Sequence, residues 1–355
     1  MIVVSLILVI LAILGAPLFA IIATSAMVGF YNNETELMTI ALELMSISQM
    51  PILTAIPLFT FAGYLLSESD APKRLVRLTS AMFGWMPGGL ALVCLAACAF
   101  FTAFTGASGV TIIALGAILY PALKQDGYGD RFNLGLVTSS GSLGLLFAPS
   151  LPLILYGVVA EVSIDDLFRA GILPGLLMLV MLSGYSIWVN RDNRKPMSAF
   201  SLREVGGALR EAIWELPLPV VVLGGIYSGF FAVSEAAAIT ALYVFIAEVL
   251  INREIRFRDL PRIIRDSMVL VGGILMILGV SLASTYYMID AEIPQKLLQL
   301  VAELVSSPTS FLILLLVFLL ILGAILDIFS AIVLVVPLIL PIAAGFGVNE
   351  VHLGI

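Results

Sequence analysis

The chain has 355 residues, of which 61% are hydrophobic and 12% charged, and its net charge is −7 at pH 7. Apolar runs that can cross a hydrocarbon core of about 30 Å recur from end to end, which excludes a soluble globular domain. No basic face interleaved with aromatic residues is present, which excludes a nucleic-acid partner. We therefore predict an all-α polytopic protein of the lipid bilayer.

The first apolar run, residues 2–30, lacks a basic N-terminal region and contains Pro17, so we interpret it as a span rather than a cleaved signal. The 17 basic residues are concentrated in alternate loops, and by the positive-inside rule those loops are cytoplasmic. The N-terminus is then predicted on the cytoplasmic side. The basic loops are 73–77, 124–131, 191–210 and 253–265, whereas 31–36, 159–168, 289–310 and 342–352 face outward.

Two segments do not fit simple spans. Residues 88–122 run between two basic loops, which predicts a re-entrant helical hairpin with its tip near Thr105–Gly109. Residues 311–346 do the same from the outer side, with a tip near Asp327–Ser330. Non-helical backbone at membrane depth survives only where it is buried in protein or lines a wet cavity. Both tips are therefore candidate functional sites.

The two hairpins resemble each other in sequence. "APKRLVRL" (71–78) is similar to "IPQKLLQL" (293–300), and "YPALKQDGYGDRFNLG" (120–135) is similar to "LPIAAGFGVNEVHLG" (340–354). Opposite loop charge makes these repeats inverted across the membrane. We predict two inverted repeats, each with a re-entrant hairpin and a broken transmembrane helix, as in elevator-type transporters of the ion-transporter superfamily.

The first hairpin leads into the predicted broken span 132–158, and the second copy ends at Ile355, where its equivalent should begin. We therefore expect the chain to be truncated at its C-terminus. Two amphipathic helices are predicted at the cytoplasmic interface, at 200–216 and 253–266. The predicted domains are scaffold helices of repeat 1 (1–87), a transport-domain hairpin and broken helix (88–160), a span with a cytoplasmic amphipathic connector (161–216), scaffold helices of repeat 2 (217–310) and a truncated second transport-domain hairpin (311–355).

Small and hydroxylated residues at the first tip indicate a cation site. Gly106 lets the backbone turn and expose carbonyl oxygens, and Thr105, Ser108 and Thr111 add hydroxyl oxygens. The facing break supplies more oxygens around Gly141, Ser142 and Ser150, and Pro149 removes a backbone donor. Free half-helix N-termini attract an anionic substrate group. The alternative interpretation is that these residues only permit tight helix packing.

Asp327 is the most informative single residue, because an ionisable group between two apolar runs is costly. A sodium ligand, a proton site and a buried hydrogen-bonded helix cap all remain open for it. Glu235 is expected to cap the helix that follows it. Glu43 and Glu248 lie near span ends, where a solvated or interfacial position is expected. We interpret Cys94 and Cys98 as small packing residues. His352 is the single histidine of the sequence, which argues against His-dependent catalysis.

Several motifs resemble the large membrane subunit of TRAP (tripartite ATP-independent periplasmic) transporters of the C4-dicarboxylate or sialic-acid type. They are "AIPLFTFAG" (55–63), "GGLA" (88–91), the Gly-Ala-Ser tip, "DGY" (126–128), "GSLGLLFAPSLPLILYG" (141–157) and "GIYSGFFAVSEAAA" (225–238). The resemblance implies a sodium-driven elevator that imports a small organic acid anion. It also implies a small membrane subunit, a periplasmic substrate-binding protein and a bacterial or archaeal inner (cytoplasmic) membrane.

Residue by residue, the resemblance matches the tip 105–111 and the break 139–150 to a first sodium site and Asp327–Ser330 to a second tip. The expected sodium ligands are Thr105, Gly106, Ser108, Gly141, Ser142, Pro149, Asp327 and Ser330. The expected substrate contacts are Ser108, Thr111, Ser150 and Asp327. The sequence departs from the family pattern at Ala148, where family members usually have proline, and at Ala232-Val233-Ser234-Glu235, where they usually have Thr-Pro-Thr-Glu.

Three other functions were weighed. A stand-alone divalent-anion/sodium symporter shares inverted hairpins but usually has Ser-Asn-Thr tips, and asparagine is missing from both tips here. An intramembrane aspartyl protease needs two carboxylates that share a proton, and Asp327 has no obvious mid-membrane partner, so we predict no enzyme. A non-transporting membrane partner stays open because of the expected truncation.

Overall fold

The computed structural model describes residues 2–33, 36–86, 88–191, 200–305 and 307–355, and within them the chain is all helical with no strand. Residues 192–199 of the predicted connector lie outside the described residues. The first helices are α1 (Ile2–Ile13), α2 (Leu18–Asn32), α3 (Met38–Ile47), α4 (Ala55–Glu68), α5 (Ala71–Phe83), α6 (Gly89–Thr105), α7 (Ser108–Gln125), α8 (Asp130–Leu143) and α9 (Leu151–Val159).

The second half of the chain is equally helical. Its helices are α10 (Ile164–Val189), α11 (Leu202–Glu211), α12 (Pro217–Tyr227), α13 (Val233–Phe245), α14 (Leu260–Asp290), α15 (Ile293–Leu304), α16 (Pro308–Gly323), α17 (Ile328–Gly345) and α18 (Glu350–Gly354). Short 3-10 helices cover Pro51–Thr54 and Gly144–Leu146, and a π-helix covers Ile246–Ile251.

Six helices among the described residues are long and apolar enough to cross a membrane, and up to eight spans result if each of two bent pairs counts as one. One of these pairs is Asp130–Leu146 with Leu151–Val159, bent by 51°. The helix interruption predicted within 132–158 is therefore present. The chain is a multi-pass membrane protein.

The apolar run 2–30, predicted as a single span, is divided instead. α1 ends at Ile13 and α2 begins at Leu18, with Gly15 at φ +85° between them. Gly15 takes a left-handed conformation that ends a helix, and Pro17 has no N–H to continue one. The break therefore follows from Gly15 and Pro17, whose backbone properties a measure of apolar composition does not include.

By its contacts the chain divides into two compact units. The first-hairpin unit comprises Thr54–Ile154, Ile164–Met268 and Ile355. Its core is α6, which packs against α4, α5, α7, α8 and α10, and α13 packs on α4. Leu95, Phe101 and Leu115 are fully or almost fully buried there. Because α6 is buried on all sides, its apolar residues need no single face.

The second-hairpin unit comprises Met1–Leu53, Leu155–Ser163 and Val269–Gly354. In it α17 packs against α15 and α16, and the rings of Phe311 and Phe346 stack with centroids 4.8 Å apart. Both predicted hairpins are present as helix–turn–helix units, α6 with α7 and α16 with α17. The functional division into scaffold and transport domains stays a prediction.

The predicted sequence repeat has a counterpart in backbone geometry. α7 ends at Gln125, and α17 ends 220 positions later at Gly345. A left-handed glycine follows each helix end, Gly127 after α7 and Gly347 after α17. The backbone hydrogen bonds after these helix ends coincide at the same offset. They are Tyr128 N–H to Leu123 O and Val348 N–H to Ala343 O, with Gly127 N–H to Lys124 O and Gly347 N–H to Ala344 O.

The amphipathic helix predicted at 200–216 is confirmed in its central part as α11. Its Ala208 and the following Ala212 are buried against Leu78 of α5. The second predicted amphipathic helix, 253–266, is wrong in its first half. Residues 252–259 are not α-helical, and α14 begins only at Leu260.

Candidate functional site

The first tip is a sharp turn between two helices. α6 ends at Thr105, Gly106 follows at φ +62°, Ala107 is extended, and α7 begins at Ser108. A Cβ atom on Gly106 would overlap the side chain of Leu151 at the start of α9. Glycine is thus required both by the left-handed backbone and by the close packing of the tip.

Behind this turn lies a group of five buried oxygens, which we call the threonine cluster: the hydroxyls of Thr102, Thr105 and Thr111 and the carbonyls of Ala107 and Gly141. The Thr102 hydroxyl lies 2.9 Å from both the Thr111 hydroxyl and the Gly141 carbonyl. The hydroxyls of Thr105 and Thr111 are 3.1 Å apart, and each lies 3.5 Å from the Ala107 carbonyl. All five groups are neutral.

Glycines bring the broken helix α8 close enough to add its carbonyl to the threonine cluster. A Cβ on Gly141 would collide with Ile112 and lie 3.4 Å from the Ser108 carbonyl oxygen. A Cβ on Gly144 would collide with the backbone of α6 at Ala99 and Ala103. Small residues here permit tight packing and leave the Gly141 carbonyl oxygen beside the threonine hydroxyls. A cation site at these oxygens stays a prediction.

The structure brings together four of the predicted site residues: Thr105, Gly106, Thr111 and Gly141. It adds Thr102, which the sequence reasoning missed although it precedes Thr105 by one helical turn. Ser142 lies outside this group, because its side chain is exposed on α8, and its role as a sodium ligand stays a prediction. A one-residue step along a helix rotates a side chain by about 100°, which separates Ser142 from Gly141.

Ser108 and the second half of the break lie apart from the cluster's hydrogen bonds. The side chain of Ser108 is half-buried, and only its carbonyl approaches Gly141. Pro149 and Ser150 are buried, and the peptide bond before Pro149 is cis. The Ser150 hydroxyl has no hydrogen-bond partner within the described part of the chain. Ser150 is therefore a buried polar group of the break whose hydroxyl is left without a partner in the described structure.

At the second tip, Asp327 caps α17. Its Oδ2 accepts hydrogen bonds from the backbone N–H groups of Phe329 at 3.0 Å and Ser330 at 3.2 Å. The Ser330 hydroxyl donates to Oδ1 at 2.5 Å. Ser330 is buried but Asp327 is exposed, so the predicted cap is present without the predicted burial. Asp327 and Ser330 both lie in the second-hairpin unit.

Glu235 and Glu248 have different environments in the structure. Glu235 caps α13 as predicted, because its Oε2 accepts the Ala232 N–H at 3.0 Å. The solvated position expected for Glu248 is wrong: its side chain is only 1% exposed and pairs with Arg74. Cys94 and Cys98 are buried and free, as predicted for packing residues. Among the described residues, no three His, Cys, Asp or Glu side chains form a group that could hold a metal ion.

An apolar, multi-pass helical chain with two helical hairpins, a broken helix and buried neutral oxygens has the architecture of a membrane transport protein. Comparison with known proteins agrees. The family model described as "Tripartite ATP-independent periplasmic transporter, DctM component" matches residues 2–355. The chain therefore belongs to the DctM family of TRAP transporter large permeases, which are transporter subunits and not enzymes.

Individual relatives are similar over most of the chain. The C4-dicarboxylate TRAP transporter large permease protein DctM of Rhodobacter capsulatus is 32% identical over 343 residues, covering 92% of this chain and 78% of that protein. The ectoine TRAP transporter large permease protein TeaC of Halomonas elongata is 32% identical over 309 residues, covering 85% and 72%. The isethionate permease protein DctMQ of Oleidesulfovibrio alaskensis is 34% identical over 312 residues, covering 87% and 49%.

Membership of a tripartite family implies partners. They are a small membrane subunit and a periplasmic binding protein.

Proposed function

We propose that this chain imports a small organic acid anion across an inner (cytoplasmic) membrane, coupled to sodium, by an elevator motion of its two hairpins. The N-terminus lies on the cytoplasmic side in this proposal. Relatives named for C4-dicarboxylates, ectoine and isethionate support a small, acidic substrate class. The substrate arrives from the periplasmic binding protein, and the small membrane subunit enlarges the fixed part.

The threonine cluster is the observation that carries sodium coupling. Hard cations prefer oxygen ligands, and carbonyl oxygens from interrupted helices coordinate sodium at the centre of many secondary transporters. Three hydroxyls and two carbonyls supply oxygens without any carboxylate. A divalent ion would gain more from carboxylates, which this site lacks. The cluster therefore suits a monovalent ion.

Different groups are proposed for the substrate. The Ser150 hydroxyl is buried and unpartnered in the described structure, next to the first residue of α9. An anionic substrate gains from the N–H groups and dipole of such a helix start. Ser108 and Thr111 stay proposed contacts at the start of α7. Thr111 then contributes to both sites, because its hydroxyl already belongs to the threonine cluster.

Asp327 and Ser330 are proposed to hold a second sodium ion. The Asp327 carboxylate already occupies the first free N–H groups of α17, so this helix start has less to offer an anion. A carboxylate also repels an acidic substrate and attracts a cation. Asp327 is predicted both as a sodium ligand and as a substrate contact, and its negative charge supports the role of sodium ligand.

The elevator and inverted-repeat architecture is supported by the offset of 220 positions between the ends of α7 and α17. Residues 88–160 and 311–355 are proposed to move, and the remaining helices to form the scaffold. Inverted repeats with interrupted helices allow one half to rock or slide against the other.

The test is sodium-dependent uptake of organic acids into proteoliposomes that contain this chain with its small membrane subunit and a periplasmic binding protein. Thr111→Val removes the hydroxyl shared by the cluster, and Thr138→Val removes an exposed hydroxyl of α8 that only contacts its own helix. We expect Thr111→Val to raise the sodium concentration for half-maximal uptake at least tenfold and Thr138→Val to leave it unchanged. Wild-type uptake that ignores the sodium gradient would refute the proposal.

A further inference from the structure

A second buried polar group lies in the first-hairpin unit, away from the threonine cluster. We call it the Arg74 cluster: Arg74, Glu215, Glu248 and Glu254. The Arg74 Nε donates to Glu215 Oε1 at 2.6 Å, and its Nη1 pairs with Glu254. Its Nη2 lies 2.5 Å from Glu215 Oε1 and 3.3 Å from both oxygens of Glu248. One guanidinium therefore meets three carboxyl groups.

Four segments of the chain converge here. Arg74 lies on α5, Glu215 on the turn between α11 and α12, Glu248 in the π-helix after α13, and Glu254 in the segment that follows. The side chains of Glu215 and Glu248 are 2% and 1% exposed, whereas Glu254 is 21% exposed. The two buried carboxyl groups approach the same nitrogen of Arg74 and are therefore neighbours.

The charges in the cluster do not balance. An arginine keeps its proton in proteins, so three ionised carboxylates would leave a net charge of −2 around one guanidinium. The Glu215 Oε2 atom is buried and has no hydrogen-bond partner in the described part of the chain. An ionised, buried oxygen without a donor is expensive, and a second negative charge beside it adds repulsion.

The surrounding groups do not supply the missing positive charge. Asn252 donates to Glu248 Oε2 at 3.4 Å, and the Asp70 N–H donates to Glu254 Oε2 at 2.7 Å. Lys73 is exposed and pairs with the Asp70 carboxylate at 2.6 Å. The following charged or titratable groups also lie on the packed elements: Arg77, which pairs with Glu204 and Glu211, and Tyr243, on which Glu215 and Glu248 act electrostatically.

We propose that the Arg74 cluster is a proton-binding site that holds one proton at neutral pH, shared by Glu215 and Glu248. The proton reduces the net charge from −2 to −1. It also turns one carboxyl group of this buried pair into an O–H donor. This proton site is independent of sodium coupling.

Burial supports the proposal on the Glu215 side. Desolvation raises the pKa of Glu215, the hydrogen bond and charge of Arg74 oppose this shift, and the charge of Glu254 adds to it. The folded state therefore binds this proton more tightly than the unfolded chain, whose carboxyl groups release theirs above a pKa of about 4.3. Stability contributed by this proton is complete below that pH and falls as the pH rises toward the folded pKa.

Infrared spectroscopy of the purified permease tests the proposal directly, because the carbonyl stretch of a protonated carboxylic acid is separate from the bands of carboxylates. The variants are Glu215→Gln and Glu248→Gln, which keep the side-chain size. The matched control is Glu204→Gln, since Glu204 pairs with an arginine of the same helix α5 but is 55% exposed.

We expect a protonated-carboxyl band at neutral pH that disappears on alkalinisation, is lost in Glu215→Gln or Glu248→Gln, and persists in Glu204→Gln. A wild-type spectrum without this band at neutral pH overturns the proposal, and so does a band that survives in both cluster variants. Thermal unfolding provides a second measurement. The wild-type melting temperature should fall between pH 5 and 8 more steeply than that of Glu248→Gln, and equal slopes contradict a shared proton.

Discussion

The hydroxyl of Ser281 donates a 2.7 Å hydrogen bond to the carbonyl oxygen of Val333, four residues before Pro337. Pro337 lies inside α17 and has no N–H, so the Val333 carbonyl loses its helical partner. Ser281 on α14 supplies the replacement, and both residues are buried. The proline break in the second hairpin is thus closed from a neighbouring helix of the same unit.

Ser281→Ala should destabilise the protein by about 1–3 kcal/mol, because it leaves the buried Val333 carbonyl without a donor. Thermal unfolding in detergent measures the loss. Ser48→Ala is the control, since the Ser48 hydroxyl is exposed and bonds only to the nearby Met45 carbonyl. Equal melting temperatures for Ser281→Ala and the wild type would show that the carbonyl finds another partner.

Two glycines of the first tip should behave differently. Gly106→Ala places a Cβ against Leu151 at φ +62°, and the strain of about 1–2 kcal/mol adds to the overlap. Gly109→Ala meets no atom within 4 Å and has ordinary helical backbone. Uptake in proteoliposomes should be lost in Gly106→Ala and retained in Gly109→Ala. Equal uptake by the two variants would remove the tip geometry from the mechanism.

Substitutions of Asp327 separate its cap from its charge. Asparagine is as good an N-cap as aspartate, so Asp327→Asn should keep the melting temperature of the wild type but lose most sodium-dependent uptake. Asp327→Ala also loses the cap and should be destabilised by about 1 kcal/mol. Unfolding and uptake assays on both variants measure the two effects. Full uptake by Asp327→Asn contradicts an ion role for the carboxylate.

Arg74 and Arg77 lie one turn apart on α5, and both pair with glutamates, but only Arg74 is buried among them. Arg74→Ala leaves Glu215 and Glu248 unpaired and should cost about 3–5 kcal/mol. Arg77→Ala breaks exposed pairs with Glu204 and Glu211, and little loss of stability is expected. Chemical unfolding of the two variants measures the contrast, and similar losses would show that burial does not decide.

Much of the fold could be predicted from the sequence because the signals are local. The uneven distribution of basic loops predicted the positions of both hairpins. The sequence similarity between 120–135 and 340–354 predicted that α7 and α17 end at matching positions. Gly106 predicted a turn, and its backbone is left-handed. These features depend on a few neighbouring residues, and the membrane limits the alternatives to helices.

The remaining features depend on contacts between distant segments. Thr102 joins the threonine cluster because α7 and α8 both pack against α6, and one sequence does not reveal that packing. The place of Glu248 near a span end predicts a solvated or interfacial position. Its pairing with Arg74, which lies 174 residues earlier in the chain, buries it instead. The sequence predicts Ser142 beside Gly141, but the rotation of about 100° per helical residue turns its side chain to an exposed position.

The neutrality of the threonine cluster has an electrical consequence. Its three hydroxyls are both donors and acceptors, so they hydrogen-bond to one another, and no fixed charge resides among them. For a sodium ion bound there, the ion is the whole charge of this site. A membrane voltage then acts on the loaded cluster with about 2.3 kcal/mol per 100 mV for a full crossing, and on the unloaded cluster with nothing. The voltage dependence that this cluster contributes is therefore confined to the step in which it carries sodium.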